Sequence, residues 1–150
     1  KTINKFKPLK FRQEVIHQSK YLKIINDSKS TTLSSTIPFL ETNEKILWIL
    51  GGLFKKGDKF NLNKKYFKNL EAYIYGKDRQ IFLKILKNKI KVNLSKDLRN
   101  TLKLIPKLKD IRTKVTVLFS PSAASFDQYK NFEERGRQFN MLIKRYLPIE

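Results

Sequence analysis

The 150-residue sequence carries 33 Lys and Arg against 13 Asp and Glu, a net charge of +20, with 40% hydrophobic and 12% aromatic residues. That is enough apolar material for one domain with a core, and the low Gly and Pro counts of 5 each argue against a disordered basic tail. The lack of cysteine excludes a disulfide framework, a cysteine-ligated metal centre and a thiol nucleophile, and it fits a reducing compartment.

Residues 13–17 and 22–25 read as two early strands around a polar turn at 18–20. Residues 45–50 (KILWIL) form a continuous apolar run stopped by Gly51-Gly52, the signature of a strand buried on both faces of a parallel sheet. A short strand over 72–75 ends at Gly76. The next helix, over 79–89, sets Ile81, Phe82, Ile85 and Leu86 on one face and Lys84 and Lys87 opposite. Ser95 is placed to cap a further helix, with Asp97 in its first turn and Pro106 ending it. Residues 114–119 (KVTVLF) repeat the buried-strand pattern. A last helix is expected over about 128–146, burying Phe132, Phe139, Leu142, Ile143 and Tyr146. The expected fold is α/β and Rossmann-like, a mostly parallel sheet with helices on both faces.

The longest apolar run, Ile46 to Phe54, is far below the ~20 residues that span a bilayer, so membrane insertion is not expected. No signal-peptide pattern is present, and a start at Lys1 without methionine suggests a segment of a longer chain. The cations are 26 Lys and only 7 Arg, spread along the whole sequence. Bidentate recognition of phosphates and base edges favours Arg, so the lysines read mainly as solvated surface and nucleic acid is not the expected partner.

Ligands of open α/β sheets bind beyond the carboxyl ends of the strands. Three loops fall there: Asn26 to Thr32 (NDSKSTT), Gly51 to Asp58 (GGLFKKGD) and Ser120 to Asp127 (SPSAASFD). Their hydroxyls, glycines and lysines suit an anion, with Ser125 placed near the start of the last helix. Each is also what an ordinary capped turn requires. His17, the single histidine, has no partnered serine or carboxylate nearby in sequence and reads as structural or surface. No GxxxxGK[ST] motif and no metal-ligand spacing occur.

Together the three loops resemble the carboxy-terminal domain of the Mur ligases, specifically members that add D-glutamate. Residues 120–136, SPSAASFDQYKNFEERG, are similar to that family's SPACASFDQFKNFEERG segment. Residues 26–31 (NDSKST) resemble its NDSKAT motif, and 50–58 (LGGLFKKGD) its LGG loop with the lysine. Residues 8–14 are similar to the family's segment at the end of the central domain, with Phe11 where histidine is common.

The resemblance implies a domain of a bacterial, cytoplasmic, ATP-dependent amide-bond ligase of peptidoglycan synthesis, expected to be monomeric. In the family, ATP phosphorylates the L-alanyl carboxylate of UDP-N-acetylmuramoyl-L-alanine, and the amine of D-glutamate attacks the acyl phosphate. Carried onto this sequence, Thr31, Lys55 and Ser125 match positions that bind the D-glutamate carboxylates, and Phe132 matches one lining that site. Lys56 beside Lys55 leaves two neighbouring candidates for the substrate lysine. Arg12, Asp27 and Lys29 match positions near the nucleotide.

ATP and Mg2+ are the implied cofactors, held mainly by preceding domains of the family that carry the P-loop and magnesium ligands. UDP-N-acetylmuramoyl-L-alanine would likewise be held there. Residues 1–150 are thus expected to be the D-glutamate-binding domain, with 1–10 a linker from a central ATPase domain outside this sequence. On that expectation the segment binds amino acid and nucleotide but catalyses nothing alone, and it carries no catalytic residue and no metal ligand. A reading from a different class is a basic, non-catalytic α/β binding module that touches nucleic acid through its lysines. Salt-dependent DNA binding would distinguish it.

Overall fold

A computed structural model describes residues 9–108 and 111–147. In chain order the elements are β1 (Glu14–Gln18), β2 (Leu22–Asn26), α1 (Leu33–Leu40), β3 (Lys45–Gly51), a 3-10 turn (Lys64–Asn69), β4 (Leu70–Tyr75), α2 (Arg79–Leu86), β5 (Lys91–Leu94), α3 (Leu98–Leu104), β6 (Val115–Phe119) and α4 (Phe132–Tyr146). The six strands form one sheet in the order β1-β2-β6-β3-β4-β5. Only β1 runs antiparallel to its neighbour; every other pairing is parallel. The expected α/β architecture is the observed one.

Side-chain alternation along the strands divides the core. Leu47 and Ile49 of β3 share one face with Val117, Phe119 and Tyr75, covered by Leu98 and Leu102 of α3 and Phe139, Leu142 and Ile143 of α4. Ile46, Trp48 and Leu50 point the other way, with Ala72 and Ile74, under Leu33 and Leu40 of α1 and Phe82 and Leu86 of α2. A strand covered on both faces has no solvent side for polar residues, which is why β3 beyond Lys45 and β6 apart from Thr116 are apolar.

The structure departs from the sequence expectations in four places. α1 and β5 were not anticipated: α1 (LSSTIPFL) contains Pro38 and three hydroxyl residues, and β5 (KVNL) is a four-residue edge strand. α3 is capped by Asp97, whose side chain accepts from Asn100 N, while Ser95 bonds instead to Thr101 and to the Asp97 carbonyl. α4 starts at Phe132, not near 128, because Asn131 accepts the Glu134 N–H and Glu134 in turn accepts the Lys130 N–H. Ser125 therefore lies ahead of a separate turn, in which its carbonyl accepts from Gln128 and Tyr129, and not at the N-terminus of α4. Residues 1–8 of the expected linker lie outside the described residues.

β2 and β6 are parallel neighbours, yet the chain leaves β2 for α1 on one face and leaves β6 for α4 on the other. This is a topological switch point, and the loops beyond it open a crevice.

Candidate functional site

The three loops singled out in the sequence all lie at the carboxyl edge of the sheet and are laced together by hydrogen bonds. The first leaves β2 at Asn26, which is buried. Its Nδ2 donates to the Gly136 carbonyl at 2.9 Å and to Asn140 Oδ1 at 2.8 Å, and its Oδ1 accepts from Ser28 N. Asp27, only 5% exposed, accepts from Gln13 N at 3.0 Å and from Ser120 Oγ at 2.8 Å. Burial pushes its pKa above the ordinary carboxylate value, against the pull of Ser120, Gln13 and Arg12. Lys29 is exposed and its Nζ sits 5.8 Å from the centre of the Phe132 ring. Thr31 is exposed just ahead of Thr32, the α1 cap.

The second loop turns sharply at Gly51 (φ 145) and Gly52 (φ 128). A Cβ on Gly51 would stand 2.0 Å from the Tyr75 carbonyl oxygen, and one on Gly52 would stand 2.4 Å from that of Ala124, so both glycines are required by space as well as by φ. Leu53 and Ala124 exchange backbone hydrogen bonds, joining the second loop to the third. Lys55 and Lys56 are exposed on the following turn, which closes through Asp58 N to the Lys55 carbonyl. The Asp58 carboxylate accepts from Leu33 N and Ser34 N at the start of α1, joining the second loop to the first.

The third loop is held from beneath. Trp48 Nε1 donates to the Ser120 carbonyl at 2.9 Å, and Gly51 N donates to that of Pro121. Thr36 of α1 meets the hydroxyls of Ser120 and Ser122 at 2.6 and 2.7 Å and that of Ser30 at 2.9 Å. Ser125 is 3% exposed, one residue beyond the Leu53–Ala124 pairing.

Arg135 is the residue that sequence reasoning missed. It is 1% exposed, and its guanidinium donates to Ser28 Oγ, to the carbonyls of Ser28 and Ser30, and to that of Ala123 at 2.8 Å. One buried cation thus ties the first and third loops to α4. Burial pulls its pKa below the ordinary arginine value, but a guanidinium stays protonated in proteins. Tyr75, fully buried, lies close enough to feel that charge, and burial pushes its phenol up to about 12. The available signal was positional: 135 shares the helical stripe of Phe139, Leu142 and Ile143, where a charge interrupts an apolar face.

Thr31, Lys55 and Ser125 therefore sit on loops that are bonded to one another, and Phe132 opens the helix that Arg135 fastens to them. Arg12 and Lys29 are exposed, and Arg12 is close enough to Asp27 to lower its pKa. Phe11 is 2% exposed: its carbonyl accepts the Lys29 N–H, and its ring fills the space at Gly136, where a Cβ would come within 2.5 Å. His17 lies half-buried on β1, away from this edge. Among the described residues, no group of His, Cys, Asp and Glu could hold a metal ion.

Three loops rich in hydroxyls, glycines and lysines, joined at a parallel-sheet switch point, define a Rossmann-like α/β domain. No family model matches the chain. It is 34% identical over 147 residues to UDP-N-acetylmuramoylalanine–D-glutamate ligase of Hydrogenobaculum sp. (strain Y04AAS1), covering 97% of this chain and 35% of that protein. The ligases of the same name from Wolbachia pipientis wMel and Rickettsia felis are 34% and 33% identical, over 91% and 97% of this chain and 27% and 33% of those proteins. In fold it is similar to UDP-N-acetylmuramate-alanine ligase of Thermotoga maritima, with a TM-score of 0.58 at 16% identity over 90% of this chain and 30% of that one. In sequence the chain is thus similar to part of the UDP-N-acetylmuramoylalanine–D-glutamate ligases, and in fold to part of another Mur ligase. It spans about a third of the length of the curated relatives it matches.

Proposed function

We propose that this chain is the amino-acid-receiving domain of an ATP-dependent ligase that adds D-glutamate to UDP-N-acetylmuramoyl-L-alanine in the bacterial cytoplasm. The observation that supports this reading is the lacing of the three loops by hydrogen bonds, with Thr31, Lys55 and Ser125 on loops along one edge of the sheet. A dicarboxylate needs separated positive or donor groups held at fixed spacing. Lys55 supplies the charge, Thr31 and Ser125 the hydroxyls, and Phe132 an apolar wall beside the amino-acid backbone.

The nucleotide fits the neighbouring end of the edge, where the exposed cations Arg12 and Lys29 would meet phosphate and Asp27 would accept a ribose hydroxyl. ATP supplies the phosphoryl group that activates the acceptor carboxylate, and Mg2+ falls to residues outside this chain. Within this domain the work is binding and orientation: its residues fix the D-glutamate amine for attack and help keep water from the activated carboxylate. The fragment alone is therefore expected to bind without turnover.

The test is Lys55→Ala in a complete ligase containing this chain. Loss of one charge-assisted bond, about 1.5–3 kcal/mol, should raise KM for D-glutamate roughly ten- to a hundredfold, with kcat and the KM for ATP little changed. An unchanged KM in Lys55→Ala, with the increase in Lys56→Ala instead, would move the role to Lys56. No change in either variant overturns the assignment of this loop.

A further inference from the structure

At the opposite edge of the sheet, where the parallel strands begin, five lysines ring an open cleft of about 640 Å³. Lys64 and Lys68 come from the 3-10 turn, Lys87 and Lys89 follow α2, and Lys91 starts β5, around a wall that includes Phe67. All five lysines are exposed. Lys45 and Lys114, exposed at the starts of β3 and β6, extend the basic surface along the same edge.

Among the described residues, counter-charge there is sparse. Glu71 lies 3.5 Å from Lys91, Glu44 lies 4.0 Å from Lys114, and Glu41 is exposed after α1. Cations are favoured at a helix C-terminus, which accounts for Lys87 and for Lys89, whose Nζ donates to the Ile85 carbonyl. It does not account for Lys45, Lys64 or Lys91, which stand at the beginnings of elements.

We infer that this edge docks the domain onto an anionic phospholipid surface. One headgroup phosphate enters the lysine cleft while its neighbours meet the flanking lysines. Every cation lining the cleft is a lysine, a point charge without the planar fork that grips individual acceptors. The aromatic ring at the cleft, Phe67, is stacked on Phe60 at 6.2 Å and is not free to stack on a base. Both features favour a fluid layer of phosphates over nucleic acid. The placement agrees: an edge opposite the three loops can face a membrane while the loops remain open to soluble substrates. No helix among the described residues is long and apolar enough to cross a bilayer, so the contact is electrostatic and salt-sensitive.

The test is co-sedimentation of this chain with vesicles of equal parts phosphatidylglycerol and phosphatidylcholine, against pure phosphatidylcholine. The wild type should sediment only with the anionic vesicles and be released by salt. Lys64→Gln, Lys68→Gln and Lys87→Gln together should weaken partition by roughly a hundredfold, about fivefold per lysine. A control triple variant at the carboxyl edge, Lys77→Gln, Lys96→Gln and Lys130→Gln, removes the same charge and should lose far less. Equal losses in the two variants would reduce the effect to net charge and overturn the proposal. So would a cleft variant that keeps vesicle binding, including one that loses only binding to duplex DNA.

Discussion

Replacing Arg135 with Leu removes the guanidinium but keeps an apolar side chain in its place. Four acceptors lose their partner: Ser28 Oγ and the carbonyls of Ser28, Ser30 and Ala123. Hydrogen bonds from a charged donor contribute about 1.5 kcal/mol each at the low end of their range. Against this, the folded state no longer has to bury a cation, a relief of several kcal/mol. The acceptors stay behind, buried and unpaired, so the balance remains unfavourable, a net loss of about 3 kcal/mol. In a urea titration with a slope of about 2 kcal/mol/M, the midpoint should fall by about 1.5 M with the slope unchanged. Arg135→Lys retains charge but only part of the donor set and should fall between the two. A Leu variant within about 0.5 kcal/mol of wild type would show that Arg135 does not hold the two loops to α4.

Asp27→Asn tests the buried carboxylate. A folded-state pKa above the unfolded value gives stability that is present at low pH and lost as pH rises through the folded value. The Asn variant should therefore gain stability relative to wild type as pH rises above the ordinary carboxylate value, and a relative loss there would contradict the burial argument. Gly51→Ala forces a Cβ into the Tyr75 carbonyl and should cost more than about 3 kcal/mol. Gly57→Ala, with φ 86 but no atom within 4 Å, should cost only about 1 kcal/mol; similar thermal melts for the two would refute the steric reading. Asp58→Ala removes a cap from α1 and should cost about 1 kcal/mol, with faster amide exchange at Leu33 and Ser34 as the local check.

The parts of the fold that sequence made legible were those with one dominant physical demand. β3 and β6 must be apolar on both faces, so their runs stand out and end at the residues that turn the chain. β5 has no such pattern, because a short edge strand with Lys91 and Leu94 exposed looks like any loop. α1 is obscured by the same hydroxyls that serve it: Thr32, which caps it, reads from sequence as part of the loop, and Thr36 bonds inward to the third loop. At the site, the loop residues were visible as a group because small and charged types cluster at strand ends. Their fastening was not. The roles of Asp58, Thr36 and Arg135 depend on partners 25, 84 and 107 positions away, and no local pattern encodes such distances.

Phe11 gives the domain a mechanical property. The chain enters β1 through a residue whose ring is seated against Gly136 of α4 and whose carbonyl holds the Lys29 N–H of the first loop. A pull or twist arriving through residue 9 is thus passed at once to the loop bearing Thr31 and to the helix anchored by Arg135. The angle at which residues 9 and 10 meet the edge formed by the three loops is set by a seated ring.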